Sequence, residues 1–233
     1  MPRLRRLQPC WLTVALPGCH GCAVCSRAYA PSHESNYLDR SMDTGGALHR
    51  KRCKRYDVPG HAHCLTFSCF QRRPFFNGRL TPAWFLESLD AARHKESFDL
   101  WAYVIMPEHV HLLVFPAEGS EISRILRRIK KPMTDRVLAW VTRNSPSFLA
   151  RMEERRPSGK TSHRFWQPGG GYDRNVLSAE EIHEKLRYIH ANPVRRGLAA
   201  GPAEWAWSSF RAWEEGLDEP IAIDRESFPV LER

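Results

Sequence analysis

The stretch Ala102–Phe115, AYVIMPEHVHLLVF, decides the fold because it predicts two strands joined by a tight turn at Pro107-Glu108. Side chains alternate between the faces of a strand, so His109 and His111 point the same way, about 7 Å apart along the strand. The opposite face of that strand is aliphatic: Val110, Leu112 and Val114. Because imidazole is a common ligand of divalent ions, two imidazoles on one face of such a strand predict a metal site.

The ordinary alternative for a histidine in an apolar strand is a hydrogen-bonded core residue. A second pair with the same spacing, His61 and His63, precedes the first predicted strand. His61 opens that strand and is interpreted as a solvated residue. His63 is expected to be able to face the His109–His111 site from a neighbouring strand.

The rest of the chain predicts a small α+β domain. Its elements are a strand over 64–70, a helix over 81–96, strands over 98–106 and 108–115, a helix opening at Ser120, a strand over 172–176 and a helix capped by Ser178. This order predicts a ferredoxin-like antiparallel sheet with helices on one face, and a final helix across the open face. Pro132 is expected to kink or break its helix, and residues 143–162 are expected to be loops.

The final helix begins with a capping box, Ser178 and Glu181, and carries the apolar stripe Ile182, Leu186 and Ile189. Tyr188 lies about 100° from that stripe, and Asn192 follows on the same side as Tyr188. Position alone favours a half-exposed packing aromatic, and the alternative is a side chain available for chemistry. The sequence Asn192-Pro193 is expected to stop the helix.

The helix that opens at Ser120 has a basic side opposite its apolar stripe. Five residues form this basic side: Arg124, Arg127, Arg128, Lys130 and Lys131. These five residues are interpreted as having no acidic partner four positions further along the helix. A basic surface of this kind favours contact with phosphates. The alternative is a solvated charged face.

Composition favours a polyanionic partner, because the 233-residue chain has a formal net charge of +9. Residues 1–59 hold ten basic and four acidic residues, so the remainder is only mildly basic. The seven cysteines are odd in number and irregularly spaced, which favours a reducing, cytoplasmic location. Cys19, Cys22 and Cys25 offer a weak zinc or iron–sulfur hypothesis without a fourth ligand. No run of residues is long and apolar enough to span a membrane.

Two segments then point to a known family. Pro107-Glu108-His109-Val110-His111 resembles the HUH signature of the IS200-like tyrosine transposases, and Tyr188–Leu198 resembles the tyrosine-bearing segment of their REP-associated branch. Phe165-Trp166-Gln167 and Glu204–Ser209 are also typical of that branch, and the resemblance covers roughly residues 58–212. We therefore expect a transposase domain over 56–215, a tail over 216–233, and an N-terminal extension over 1–55 that is disordered or not translated.

The resemblance implies a single-stranded DNA nuclease and strand transferase that acts on hairpin-associated repeats with Mg²⁺ or Mn²⁺. It makes His109 and His111 metal ligands, Asn192 a further ligand, and Tyr188 the nucleophile that forms a 5′-phosphotyrosine. The implied partner is single-stranded or hairpin DNA, and relatives act as monomers or homodimers.

Two other functions compete with this interpretation. A domesticated protein that binds repeat DNA without cutting it would use the same basic helix. A metal hydrolase unrelated to DNA is disfavoured, because His-x-His strands of that kind belong to barrels that need about 250 residues.

Overall fold

The structure, a computed structural model, describes residues 56–231. The predicted N-terminal extension over 1–55, with the cysteines of the zinc or iron–sulfur hypothesis, lies outside the described residues.

A four-stranded antiparallel sheet forms the centre of the fold, and a separate two-stranded hairpin accompanies it. The strands are β1 (Ala62–Ser68), β2 (Phe98–Ile105), β3 (His109–Pro116), β4 (Glu153–Arg155), β5 (Thr161–His163) and β6 (Tyr172–Val176). The helices are α1 (Leu80–Glu96), α2 (Ile122–Asn144), α3 (Ala179–Arg195) and α4 (Phe210–Glu214). The sheet order is β2-β3-β1-β6, and β4 pairs with β5. The predicted ferredoxin-like α+β fold is confirmed.

The alternation of side chains divides the core between the two faces of the sheet. One face packs against α1 and α2 and includes Leu65, Val110 and Leu112. The other face packs against α3 and includes Leu113 and Val104, next to Ile182 and Ile189 of the helix. Burying a large aliphatic side chain contributes about 1.5–3 kcal/mol, so each helix layer is held mainly by its apolar stripe. His109 and His111 share the face of Leu113, and they therefore lie on the α3 side.

Two predicted boundaries at the start of the domain are wrong by one or two residues. The first strand ends at Ser68, because Phe70–Arg72 form a 3-10 turn in which Gln71 and Arg72 have left-handed backbone, with φ of 54° and 51°. Helix α1 begins at Leu80, so Thr81 lies inside its first turn. The Thr81 hydroxyl donates to the Phe75 carbonyl instead of capping the helix.

Two prolines lie inside helices that continue past them. Helix α2 runs unbroken through Pro132, which is exposed, so the prediction of a break there is wrong. Helix α3 runs through Pro193 to Arg195, so the predicted stop at Asn192 is also wrong. A proline removes its own N–H donor and crowds the carbonyl four residues before it, but Pro193 lies in the last turn of α3, where the carbonyl of Asn192 still accepts from the Arg196 amide.

Residues 143–162 contain more structure than the predicted loops. A 3-10 helix spans Pro146–Met152, and β4 and β5 form a short hairpin after it. These strands have three residues each and no apolar alternation, so they leave no periodic signal in the sequence.

The segment predicted as a tail runs along strand β2. The Asp224 amide donates to the Leu100 carbonyl, and the Leu100 amide donates to the Asp224 carboxylate. Phe228 is buried against Trp101 and Trp213. The unpaired edge of β2 is therefore partly covered. Within residues 56–231, no helix combines the length and apolar character that crossing a bilayer requires.

Candidate active site

The two histidines of β3 converge on one point. The Nε2 atoms of His109 and His111 are 2.9 Å apart, and both side chains are buried. Antiparallel pairing places Thr66 of β1 directly opposite His111, where its hydroxyl lies 2.7 Å from His111 Nδ1. On the other ring, His109 Nδ1 lies 3.0 Å from the Glu108 carboxylate. Each imidazole is therefore held through Nδ1, which leaves both Nε2 atoms facing each other.

Burial and charge set the protonation of this group. Burial lowers the pKa of His111 from 6.5 to about 3, so His111 is neutral at pH 7. Burial would raise the pKa of Glu108, but hydrogen bonds from His109 and Arg196 outweigh it and lower that pKa to about 2. An ionised Glu108 can only accept, so His109 Nδ1 carries the proton. His109 Nε2 then presents a lone pair, as a metal ligand must.

The histidine pair fits a shared divalent ion. Metal–nitrogen bonds of about 2.1 Å at right angles place two neighbouring ligand atoms about 3.0 Å apart, close to the separation of the Nε2 atoms. Among residues 56–231, no cluster of three or more His, Cys, Asp or Glu side chains is arranged to hold an ion. Other ligands would therefore be amide, water or phosphate oxygens, and such a site stays open to substrate.

Helix α3 brings Tyr188 to this pair. The Ser178 hydroxyl accepts from the Glu181 amide, which confirms Ser178 as the cap of the helix, whereas the Glu181 carboxylate pairs with Arg174 instead of closing the predicted capping box. The apolar stripe faces the sheet, so Tyr188 lies at the helix edge, 40% exposed. Its ring centroid is 5.9 Å from that of His111, and the Arg195 guanidinium lies 5.3 Å from it. An exposed phenol beside two buried imidazoles is an arrangement suited to attack on a bound phosphate.

Asn192 lies one helical turn after Tyr188 and is buried. Its side-chain amide donates to the Tyr188 carbonyl at 2.8 Å, which leaves the side-chain oxygen as the atom for a metal. Its role as a ligand stays a prediction.

His63 does not join the site, and the expectation that it faces the histidine pair is wrong. In the sheet register it lies opposite Val114, on the face of α1 and α2. Its Nδ1 is 2.8 Å from the Asp173 carboxylate, and both side chains are almost fully buried. The register of β1 against β3 decides which face of the sheet His63 occupies. The spacing of histidines within one strand does not reveal that register.

The basic side of α2 lies in the other helix layer, away from the histidine pair. Arg124 and Arg128 pair with Glu96 at 3.8 and 3.0 Å, and Lys131 pairs with Asp135 at 2.6 Å. The expectation that this side lacks acidic partners is therefore wrong. The ammonium of the fifth residue, Lys130, lies 4.3 Å from the Phe67 ring centroid, and Arg127 is exposed. Contact of these residues with DNA stays a prediction.

Sequence reasoning missed the residues that support the site. Thr66 leaves no signal, because only the pairing of β1 with β3 places it opposite His111. Arg196, at the end of α3, donates to Glu108 at 2.6 Å. At Gly171 the backbone comes close to strand β1. A Cβ there would come closer than 3.0 Å to the Thr66 carbonyl oxygen.

A scan against protein families supplies the identification. The model described as "Transposase IS200 like" matches residues 60–192, a range that includes the histidine pair and Tyr188. The chain belongs to the IS200-like transposase family. The resemblance found in the sequence is thereby confirmed.

Curated relatives and a solved structure of this family agree. A Haemophilus influenzae protein assigned as a REP-associated tyrosine transposase is 28% identical over 113 residues, which are 48% of this chain and 59% of that protein. The REP-associated tyrosine transposase of Escherichia coli K12 is 22% identical over 160 residues, 67% of this chain and 81% of that protein. The structure of a REP-associated tyrosine transposase bound to a REP hairpin superposes with a TM-score of 0.55 at 19% identity. The superposition covers 78% of this chain and 99% of the solved chain, and it supports the same fold.

Proposed function

We propose that this chain is a metal-dependent nuclease and strand transferase that cleaves single-stranded DNA at hairpin-associated repeats through a 5′-phosphotyrosine on Tyr188. The observation that carries the proposal is the contact of the Tyr188 ring with His111, whose Nε2 converges with that of His109. The three residues come from two elements on the same face of the sheet. Membership of the transposase family supports the reaction class.

The residues of this chain divide the reaction among them. The Tyr188 oxygen attacks the phosphorus of the scissile phosphodiester, so an O–P bond forms to the protein and the bond to the 3′ oxygen breaks. The phenol proton passes to solvent water in this step, and the departing 3′ oxygen takes up a proton from solvent to leave as a free hydroxyl. Because the phosphodiester bond is exchanged for a phosphotyrosine, the step is reversible without ATP, and the 3′ hydroxyl can rejoin the strand.

His109, His111 and Asn192 would hold Mg²⁺ or Mn²⁺. When bound, such an ion polarises a phosphate oxygen and offsets the charge that develops during attack. Neutral imidazoles suit this task because they leave the positive charge of the ion uncompensated. Glu108 and Thr66 keep the two rings oriented, and the pKa of His111 keeps its nitrogen available as a ligand at neutral pH.

Two observations support DNA with a hairpin as the substrate. The solved relative with the same fold is bound to a REP hairpin. The chain has a net charge of +9, which favours a polyanion. A DNA substrate also places the reaction in the cytoplasm, where a monomer or a homodimer would carry it out.

A covalent-adduct assay tests the proposal. The full-length protein is incubated with Mn²⁺ and a 5′-labelled or 3′-labelled DNA hairpin that carries single-stranded flanks. We expect a denaturation-resistant adduct that carries the 3′ label, because the DNA 3′ of the cut remains linked through its 5′ phosphate. Tyr188→Phe should abolish the adduct, whereas Tyr56→Phe, at another exposed tyrosine, should not.

The same assay distinguishes the proposed nuclease from the alternative, a protein that binds repeat DNA without cutting it. Hairpin binding of equal affinity by the wild type and by Tyr188→Phe, with no cleavage by either, would overturn the proposal and select a binding protein. An adduct that survives Tyr188→Phe would assign the nucleophile to another residue.

A further inference from the structure

One carboxylate connects the histidine pair to the end of the tyrosine helix. The Oε1 atom of Glu108 accepts from His109 Nδ1 at 3.0 Å and from Arg196 Nη1 at 2.6 Å. Glu108 occupies the turn immediately before β3, and Arg196 caps the last turn of α3. The Glu108 side chain is only 13% exposed. The two elements that carry the proposed catalytic groups are therefore joined by a partly buried charged hydrogen-bond chain.

We propose that Arg196 is a positioning residue, which through Glu108 sets where α3, and with it Tyr188, lies relative to the histidine pair. This inference rests on the proposed function, because that function gives Tyr188 and the histidines their roles. Arg196 itself touches neither the phenol nor a ligand nitrogen.

Other polar contacts also orient α3, but none of them joins it to the turn that carries Glu108. Arg174 of β6 pairs with Glu181 at 2.6 Å in the first turn, and the His190 imidazole lies 2.9 Å from the Ser209 hydroxyl. The apolar stripe packs on the sheet through hydrophobic contacts, which are non-directional. The Arg196–Glu108 contact is a charge-assisted hydrogen bond, stronger than a neutral one, and it ends at the carboxylate that holds His109.

Another arginine of the same helix provides a matched control. Arg187 has the same charge and is also exposed on α3. Among the ion pairs formed within residues 56–231, none involves Arg187. Arg187→Gln and Arg196→Gln therefore remove the same charge from the same helix, and only the second breaks the connection to Glu108.

Paramagnetic broadening by Mn²⁺ reports the position of Tyr188 without DNA or catalysis. The full-length protein is labelled with ¹³C at the tyrosine rings, and the Tyr188 signal is assigned by its loss in Tyr188→Phe. Spectra are recorded at saturating Mn²⁺. Because the relaxation enhancement falls with the inverse sixth power of distance, a small displacement of the helix changes it strongly.

We expect strong broadening of Tyr188 in the wild type and in Arg187→Gln, and a several-fold weaker effect in Arg196→Gln. Arg196→Lys retains a charged donor and should recover part of the broadening. Broadening in Arg196→Gln equal to that in the wild type would overturn the inference. Thermal unfolding of each variant verifies that it is folded, and if Arg196→Gln fails to fold, Arg196→Lys and Arg196→Met provide the same comparison.

Failure of the inference and failure of the proposed function give different results. His109→Ala should remove the broadening altogether, because the ion loses one of its ligands. Broadening that persists in His109→Ala would show that the ion binds elsewhere and would overturn the proposed function. Loss in His109→Ala, with no effect of Arg196→Gln, would overturn only the role of Arg196.

A single-turnover assay adds a second readout. At saturating hairpin DNA and Mn²⁺, Arg196→Gln should form the Tyr188 adduct about 10- to 100-fold more slowly, because a displacement of about 1 Å can have an effect of that size. DNA affinity should stay near that of the wild type. A lower affinity with an unchanged rate would instead assign Arg196 to DNA binding.

Discussion

Replacement of Gly171 by alanine should damage the histidine site from a distance. Gly171 has a φ of +72°, and a Cβ there would come closer than 3.0 Å to the carbonyl oxygen of Thr66. The left-handed backbone costs an alanine about 1–2 kcal/mol. Because the obstacle is backbone of a central strand, relief of the collision costs about 1–3 kcal/mol more. We expect a total loss of about 2–5 kcal/mol in the free energy of unfolding.

Gly169→Ala is the matched control for this prediction. Gly169 also has a positive φ, of +103°, but no atom lies within 4 Å of its added Cβ. It should therefore show only the backbone penalty of about 1–2 kcal/mol. At about 2–4 °C per kcal/mol for a domain of this size, thermal unfolding followed by circular dichroism separates the two variants.

The same substitution should also weaken metal binding. Thr66 contacts His111 Nδ1 at 2.7 Å, so a shift of the Thr66 backbone loosens the ring that presents Nε2. Loss of such a supporting contact typically lowers metal affinity about 10- to 100-fold. Titration calorimetry with Mn²⁺ measures this for Gly171→Ala and Gly169→Ala. Equal melting temperatures and equal affinities in the two variants would refute the reasoning that Gly171 and Thr66 form a close-packed support.

Four further predictions follow from the described contacts. His109→Ala and His111→Ala should each abolish metal-dependent cleavage while circular dichroism shows an intact fold, and activity retained in both would place the ion elsewhere. Thr66→Val, which keeps the shape and loses the hydroxyl, should weaken Mn²⁺ binding about 10-fold in calorimetry; unchanged affinity would remove Thr66 from the site. Burial lowers the pKa of His190 from 6.5 to about 4, so folding disfavours the charged imidazole. The stability that neutral His190 contributes should be complete above about pH 6.5 and should be lost as the pH falls towards 4. Denaturant unfolding in a chelator measures this, and His190→Gln should reduce the slope between those pH values. If the basic side of α2 binds phosphates, replacing its basic residues by glutamine should make DNA affinity, measured by fluorescence anisotropy, depend less on salt concentration. An unchanged slope would show that these residues form a solvated face.

Local sequence patterns predicted the elements that carry the candidate site. The alternation in β3 placed His109 and His111 together, because a strand relates residues two apart whatever surrounds it. The bounds of β6 and the cap of α3 were predicted for the same reason, since both depend on nearest neighbours along the chain. The position of Tyr188 off the apolar stripe followed from helical periodicity. Its role needed the family resemblance, and the structure adds that its ring contacts His111.

Several of the errors arise from contacts between distant segments, whereas the Lys131–Asp135 pair, four residues apart on α2, was readable in the sequence. His61 and His63 have the same spacing as His109 and His111, yet the register of β1 against β3 turns His63 to the face opposite the histidine pair. The ion pairs of α2 with Glu96 depend on the packing of α2 near the end of α1, which the sequence of α2 does not reveal. Pro193 stops an isolated helix, but α3 loses a single donor there and continues under the packing of its apolar stripe.

Sequence by itself therefore determined the four strands of the central sheet, the three long helices, the histidine pair on one face and the exposed tyrosine. Tertiary structure alone decided that Thr66 and Glu108 orient the two imidazoles and that Arg196 reaches Glu108. Periodicity is a property of the backbone within one element, and it is readable wherever residues are neighbours in the chain. The hydrogen bonds that make the site join residues up to 88 positions apart, and only the packed sheet and helix bring them within bonding distance.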